Sequence, residues 1–228
     1  MWPSVYAPAQ PFSVPLTHPI NDGLVFYLPL QGGGGKQVYD LSGNNHQGTL
    51  YGNSSWKSGP NGWVLDFDGN GDYVEIPDSL TLRPDSAFTL SAWVKKRQNG
   101  QQQGIISRFT WNSYGYKLEF NSNDKLIVAL TKSDGVSVQQ AHDVAVLDSN
   151  WHHAVGVWNG SQIYNVLDGK QSTSSSNATG IKNETNKKLY LGALLNTLYY
   201  FNGQISNARI YNRALSLAEI QRLYEIGG

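Results

Sequence analysis

Residues 201–225 read FNGQISNARIYNRALSLAEIQRLYE, and this stretch decides the fold. Its first half alternates apolar and polar residues after a glycine, a pattern typical of a β-strand. Ser216 is followed three residues later by Glu219, the spacing of a capping box that starts an α-helix. The apolar residues that share one face of this helix are Leu217, Ile220, Leu223 and Tyr224. The stretch therefore predicts a strand that leads into one short amphipathic helix.

The chain before this stretch reads as short strands separated by turns. Apolar residues alternate with polar ones over 88–95 and 116–120, which predicts strands with one buried face. Glycine combines with aspartate or asparagine at 68–71 and 159–160, where turns are expected. Many short strands with frequent turns predict an all-β sandwich or jelly roll. Neither an internal repeat nor a second domain is evident, so residues 22–228 are expected to form one domain.

Six blocks of sequence follow one another in a characteristic order. They are 22–30, 40–49, 65–76, 88–94, 151–155 and 201–225, which include the motifs DLSGNNHQGT, FTLSAWV and WHHAV. Together these blocks resemble LamG-like domains of the concanavalin A-like lectin/glucanase superfamily. The resemblance implies a jelly-roll sandwich of two antiparallel sheets with one short C-terminal helix. It implies no single activity, because one fold can host many functions.

The composition excludes several functional classes. The 228 residues have a formal net charge of zero and only 15% charged residues, so no nucleic-acid-binding surface is expected. The chain has no cysteine, which excludes disulfides, zinc thiolate sites and thiol catalysis. Its apolar runs are shorter than the ~18–20 residues that span a bilayer, so no membrane insertion is expected. The first residues lack the pattern of a secretory signal, which predicts a protein made in the cytoplasm without a signal peptide.

Residues 1–21 differ in composition from the rest of the chain. Prolines recur through this segment and hold its backbone extended, so neither a helix nor a central strand is expected. Trp2, Tyr6 and Phe12 add aromatic side chains that solvated linkers rarely carry. We therefore expect an N-terminal arm that docks on its own domain or on a neighbouring subunit. A disordered leader is the alternative interpretation.

Paired carboxylates would indicate glycoside hydrolysis. Glucanases of this superfamily carry two Glu on one strand in an ExDxE or ExDxxE spacing, so that both carboxylates point to the same side. The glutamates of this chain are Glu75, Glu119, Glu184, Glu219 and Glu225. None of them pairs with another at that spacing. Asp66 and Asp68 share a strand face but are expected to bind backbone amides in and near a turn. His152 and His153 are neighbours on a predicted strand and point to opposite faces, so they are not expected to share one site. Since neither a carboxylate pair nor a histidine pair is expected, a non-catalytic protein is predicted.

A turn rich in asparagine and glycine offers oxygen ligands for calcium, which takes roughly six to eight oxygens. Asp40, Asn44 and Asn45 lie in this turn. The resemblance to LamG-like domains implies a structural Ca²⁺ near it, with further oxygens from the C-terminal strand, where Asn207 is the candidate. That family usually has aspartate where this chain has Ser206, which lowers the negative charge of the site. The alternative is a hydrogen-bonded turn capped by Asp40.

Two clusters of aromatic and amide residues fit glycan binding, which combines ring faces with hydrogen-bonding groups. Trp111, Asn112 and Tyr114 lie among turn-forming residues between two predicted strands. Tyr199 and Tyr200 follow a second loop. One of these two tyrosines is expected to be exposed, because neighbours on a strand point to opposite faces. Core packing is the competing interpretation for each aromatic residue.

Residues 17–30 read THPINDGLVFYLPL and are followed by a glycine run. This start resembles stand-alone LamG-like proteins predicted in tailed bacteriophages and prophages. The resemblance implies a structural or binding component of the virion surface, in capsid decoration or adhesion. Its expected partners are other virion or self subunits, reached through the N-terminal arm, and cell-surface glycans bound weakly. The alternatives are a free extracellular carbohydrate-binding module and, third, a glycoside-active enzyme.

Overall fold

The computed structural model describes residues 19–29, 34–59, 62–194 and 198–227. Trp2, Tyr6 and Phe12 of the N-terminal arm lie outside the described residues, so the docking of this arm stays a prediction.

Seventeen strands and one α-helix make up the described part of the chain, together with two short 3-10 helices at Pro19–Asn21 and Leu80–Leu82. The helix, α1, spans Leu217–Gly227. The strands are β1 (Leu24–Leu28), β2 (Gln37–Val38), β3 (Gly48–Tyr51), β4 (Ser55–Gly59), β5 (Gly62–Asp68), β6 (Tyr73–Ile76), β7 (Phe88–Lys96), β8 (Gln103–Thr110), β9 (Tyr114–Phe120), β10 (Lys125–Thr131), β11 (Ser137–Ala145), β12 (Trp151–Trp158), β13 (Gln162–Leu167), β14 (Lys170–Gln171), β15 (Ser176–Asn177), β16 (Leu189–Leu191) and β17 (Asn202–Tyr211).

The strands form two antiparallel sheets. Sheet A has the order β14-β13-β12-β7-β17-β5-β4, with β1 added on β17 and β15 on β13. Sheet B has the order β11-β10-β9-β8-β16-β6-β3-β2. The predicted jelly-roll sandwich is confirmed, and the C-terminal strand β17 lies near the middle of sheet A, between β7 and β5.

The core lies between the two sheets. Alternating residues point inward from β7 and β9, as their period of two predicted, and these are Phe88, Leu90, Ala92, Val94, Tyr116, Leu118 and Phe120. The Phe88 ring lies 5.2 Å from the Tyr116 ring and 5.7 Å from the Trp158 ring. The buried Trp158 Nε1 donates to the Ala178 carbonyl at 2.7 Å. Its polar atom is therefore satisfied inside an apolar environment.

Helix α1 covers the outward face of sheet A. The Ser216 amide donates to Glu219 Oε2 at 2.8 Å, and the Glu219 amide donates to Ser216 Oγ at 3.3 Å, so the capping box is confirmed. Ile220 and Leu223 are buried in a cluster that includes Tyr211. Leu217, in contrast, is 40% exposed, because only part of the predicted apolar face meets the sheet. Within the described ranges, no helix is both long and apolar enough to cross a membrane.

Ile20 falls within the predicted N-terminal arm but packs against the rest of the domain. This residue lies in the 3-10 helix Pro19–Asn21, is only 4% exposed and belongs to the apolar cluster beneath α1. Burying a side chain of this size contributes about 1.5–3 kcal/mol to stability. A deletion that tests the arm without removing part of the domain should therefore stop at residue 18.

Candidate functional site

Four tyrosines meet on the outward face of sheet B, and we call Tyr51, Tyr73, Tyr190 and Tyr200 the tyrosine cluster. The inward residues of β3, β6 and β16 belong to the core, so the alternate residues Tyr51, Tyr73 and Tyr190 point away from it. Tyr51 is paired with Tyr73 in register, and their rings stack at 5.0 Å. Tyr73 also lies edge-on to Tyr190 at 5.9 Å and stacks with Tyr200 at 6.4 Å. Tyr51 is 39% exposed, which leaves part of this aromatic surface open to solvent.

An ion pair borders the tyrosine cluster. Lys188 Nζ donates to Glu75 Oε1 at 2.7 Å, and Glu75 is paired in register with Tyr190. The hydrogen bond to Glu75 raises the pKa of Lys188, so this lysine stays charged. Burial, and then the charge of Glu75, raise the pKa of Tyr73, so its hydroxyl stays protonated. The surface thus combines ring faces, hydroxyl groups and a compensated pair of charges.

Tyr199 and Tyr200, the two candidate glycan-binding tyrosines, have different surroundings. Tyr200 joins the tyrosine cluster through Tyr73. Tyr199 is 46% exposed and has a left-handed backbone with φ 56°, and its carbonyl accepts a hydrogen bond from the Gly104 amide at 2.8 Å. Tyr199 is therefore the more exposed of the pair. A role for either residue in glycan binding stays a prediction.

The other predicted aromatic cluster forms the turn between β8 and β9. Trp111 is 50% exposed and packs edge-on against Phe109 at 5.7 Å. Lys117 Nζ lies 4.9 Å from the Phe109 ring and 5.6 Å from the Trp111 ring. Lys117 is paired with Ser107, which is in turn paired with Tyr190. The Trp111 turn and the tyrosine cluster therefore share the outward face of sheet B.

Asn112 and Tyr114 are more constrained than Trp111. The Asn112 amide donates to Ser137 Oγ at 2.7 Å, and Asn112 Oδ1 accepts from the Ser137 amide at 3.0 Å. Tyr114 is 9% exposed, and Lys187 Nζ lies 5.2 Å from its ring. These contacts fix the turn, so Trp111 is the member that offers a large exposed ring.

The turn predicted to hold calcium is organised by the Asp40 carboxylate. Asp40 Oδ1 accepts from the amides of Tyr27 and Ser42, each at 2.9 Å. Asp40 Oδ2 accepts from Ser42 Oγ at 2.8 Å and from the His46 amide at 2.9 Å. A carboxylate has about four lone-pair sites, so these hydrogen bonds occupy them. The structure shows the alternative arrangement, a turn capped by Asp40.

The other predicted calcium ligands are also engaged. Asn44 Nδ2 donates to the Val25 carbonyl at 3.1 Å, and Asn45 Oδ1 accepts from Gln47 Nε2 at 3.0 Å. Asn207 lies in a bulge of β17, and its Oδ1 accepts from the Tyr27 hydroxyl at 3.0 Å. Among the described residues, no three His, Cys, Asp or Glu side chains come together as a metal site. This donor set does not fit Ca²⁺ without rearrangement, and calcium binding stays a prediction.

The acidic residues considered for catalysis take part in local structure. Asp66 Oδ1 lies 2.6 Å from Arg97 Nη1, and Asp68 Oδ1 accepts from the Asn70 amide at 2.7 Å. Glu119 is buried and lies 2.6 Å from Lys117 Nζ. Ion pairs engage Asp66 and Glu119 and a backbone amide engages Asp68, so each of these carboxylates has a structural partner.

The two neighbouring histidines bind different partners. His152 lies between Asp168 and Asp148, at 2.7 and 2.9 Å from their carboxylate oxygens, and the hydrogen bond to Asp168 raises its pKa. His153 is buried, and its Nε2 lies 2.8 Å from Ser91 Oγ. Their side chains do not share a site, in agreement with the alternation of the strand.

Comparison with known proteins identifies the family. A family model described as the concanavalin A-like lectin/glucanases superfamily matches residues 68–221, roughly two thirds of the chain. The chain belongs to this superfamily. Its LamG-like sequence blocks and its lectin-like jelly-roll fold agree with that assignment. A search of curated proteins found no match.

Several solved structures with a similar fold are described as binding domains. The binding domain of Paraclostridial Mosquitocidal Protein 1 has a TM-score of 0.74 and 18% identity, covering 91% of this chain and 53% of that chain. The binding domain of Botulinum Neurotoxin DC in complex with SialylT has a TM-score of 0.72 and 17% identity, covering 91% and 52%. The same toxin domain in complex with rat synaptotagmin II has a TM-score of 0.70 and 16% identity, again covering 91% and 52%. This superfamily member therefore spans about half the length of these neighbours, and at this identity the likeness shows the fold alone.

Proposed function

We propose that this superfamily member is a non-catalytic binding protein that holds glycans on the outward face of sheet B, and that it works on the surface of a phage particle. The observation that carries the glycan part is the partly exposed Tyr51–Tyr73 stack beside the Glu75–Lys188 ion pair. Sugars present apolar C–H faces to aromatic rings and hydroxyl groups to polar side chains. The tyrosine cluster and its ion pair supply both kinds of contact.

The structural neighbours support a binding role. All three reported neighbours are named binding domains, and two of the structures are complexes, one with SialylT and one with rat synaptotagmin II. The pairing of Asp66, Glu119 and Glu75 with basic side chains supports a role without glycoside chemistry. Stacked tyrosines across two strands can also serve only to stabilise the sheet, which is the competing explanation for the tyrosine cluster.

Replacing Tyr73 by alanine tests the glycan-binding role, because Tyr73 contacts the three other rings of the cluster. A glycan array identifies a bound sugar, and calorimetry then measures its affinity for the wild type and for Tyr73→Ala. We expect about a tenfold loss of affinity, equivalent to about 1.4 kcal/mol. Trp63→Ala is the control, because Trp63 is 46% exposed on β5 of the opposite sheet. Equal affinities for Tyr73→Ala and the wild type would contradict this role.

The virion role rests on the resemblance of residues 17–30 to phage LamG-like proteins and on the aromatic composition of the arm. In this proposal the arm anchors the protein to other virion or self subunits, while sheet B faces the surroundings. Light scattering with size-exclusion chromatography, together with a particle-binding assay, tests it. Deletion of residues 1–18 should leave a folded monomer that no longer assembles or binds particles. Unchanged assembly after the deletion would contradict anchoring by the arm.

A further inference from the structure

A polar cavity lies at one end of sheet B, beside the turn capped by Asp40. Its volume is about 370 Å³, and it is lined by Asn44, Asn45, His46, Gln47, Pro77, Asp78 and Ser79. Most of these side chains carry amide, hydroxyl, imidazole or carboxylate groups, and none of them is a phenylalanine, tyrosine or tryptophan. A ligand in this cavity would be held mainly by hydrogen bonds.

The amide groups of the cavity are held in position by the surrounding chain. Asn44 Nδ2 donates to the Val25 carbonyl and to Ser42 Oγ, both at 3.1 Å, which fixes the side chain and leaves its Oδ1 as the acceptor. Asn45 Oδ1 accepts from Gln47 Nε2 at 3.0 Å, which leaves its Nδ2 as the donor. An acceptor and a donor on adjacent residues match a hydroxyl group, which both donates and accepts.

Asp78, the acid among the described residues that line the cavity, is already compensated. Arg108 Nη2 donates to Asp78 Oδ1 at 3.0 Å, Arg83 binds the same carboxylate, and the Asn186 amide donates to Asp78 Oδ2 at 2.5 Å. Burial alone would raise the pKa of Asp78, but the hydrogen bonds from Arg83 and Arg108 outweigh it and lower the pKa. The described lining of the cavity therefore offers no free carboxylate charge to an ionic ligand and favours a neutral one.

The cavity and the tyrosine cluster lie on one continuous strip of sheet B. Gly48 and Leu50 are buried while their neighbours on β3 are exposed, and Val74 and Ile76 point into the core from β6. The strip therefore consists of the alternate side chains Gln47, Thr49 and Tyr51 beside Tyr73, Glu75 and Pro77. Four residues separate its ends on each strand, a rise of about 13 Å. A short oligosaccharide is therefore long enough to reach from the amide groups of the cavity to the tyrosine cluster.

We propose that the cavity and the tyrosine cluster are two subsites of one surface, which takes a neutral oligosaccharide running along β3 and β6 with its terminal sugar in the cavity. The inference rests on the proposed glycan-binding function and adds the class and direction of the ligand. The charged groups along the strip, Glu75 and Asp78, are each paired with basic side chains. A neutral chain binds there without displacing either ion pair.

The inference is tested with the full chain on an array of neutral and sialylated oligosaccharides of graded length. Calorimetry then measures the affinities of the neutral oligosaccharides that bind on the array. The cavity variant combines Asn45→Gly with Gln47→Ala, because glycine tolerates the φ of 60° at position 45. We expect the affinity of the wild type to rise with the length of the oligosaccharide. The cavity variant should bind the longer oligosaccharides about tenfold more weakly than the wild type and the shorter ones equally well. Tyr73→Ala should weaken binding at every length. Gln101→Ala, an exposed amide outside the strip, is the matched control.

Each contrary outcome points to a different error. If the cavity variant binds long chains as the wild type does while Tyr73→Ala does not, the second subsite is wrong and the glycan-binding function stands. A preference for sialylated chains would overturn the neutral class. If the array retains no oligosaccharide, both the inference and the proposed glycan function fail.

Discussion

Replacing Asp78 by asparagine is expected to lower the free energy of unfolding by about 3–5 kcal/mol. Arg108 has a fully buried side chain, and its ion-pair partner among the described residues is Asp78. The other hydrogen bonds of its guanidinium go to the Glu184 carbonyl and to the Asn183 amide, which carry no charge. Removing the carboxylate charge leaves a buried cation without compensation, which is costly in a low-dielectric interior. Urea denaturation of the two proteins measures the difference.

Asp134→Asn is the matched control for this prediction. Asp134 pairs with Lys132 at 2.8 Å, but its side chain is 56% exposed. Water screens the charges of exposed ion pairs, so Asp134→Asn should change the free energy of unfolding little. A similar small loss for both variants would show that the Asp78–Arg108 pair does not need its charge, and the prediction would be wrong.

Acid is expected to begin to destabilise the protein below about pH 6.5, before most carboxylates titrate, because of His153. Burial, and then the charge of Arg209, lower the pKa of His153 from 6.5 to about 3. The unfolded chain therefore binds a proton below about pH 6.5 that the folded chain refuses until about pH 3. The contribution of neutral His153 to the free energy of unfolding is fully present above the unfolded pKa. As the pH is lowered through this window, that contribution decreases by about 1.4 kcal/mol per pH unit. Denaturant unfolding from neutral pH to about pH 4 measures the slope.

His153→Gln should flatten this pH dependence, because glutamine can keep a hydrogen bond to Ser91 but does not take up a proton. Part of the slope should remain, since burial also lowers the pKa of His46. His152→Gln is the control with the opposite sign. The pKa of His152 is raised, so its contribution is present below the unfolded pKa and is lost as pH rises through the folded one. An unchanged slope in His153→Gln would refute the assignment to His153.

The candidate site was only partly predictable from the sequence. Tyr200 and Trp111 are candidates from the sequence because they lie near loops, where exposed aromatic residues indicate a possible ligand platform, and their role stays a prediction. Tyr51, Tyr73 and Tyr190 were missed as ligand candidates because they lie in strands, where core packing is the usual explanation. The alternation of Val74 and Ile76 with Glu75 already indicated that Tyr73 points outward. No local pattern could show that three separate strands bring these rings together.

The sequence by itself determined the class of fold, the inward faces of strands such as β7 and β9, and the capping box that starts α1. These features depend on period-two alternation and on residues three apart, so short stretches of chain contain all the information needed. Only the tertiary structure decided that β3, β6 and β16 are neighbours, that Arg108 meets Asp78, and that His153 is buried with its ring 6.3 Å from that of Tyr224 on α1. Such contacts join residues far apart in the chain, and their partners and burial depend on the order of strands in the completed sheets. A local pattern does not specify that order.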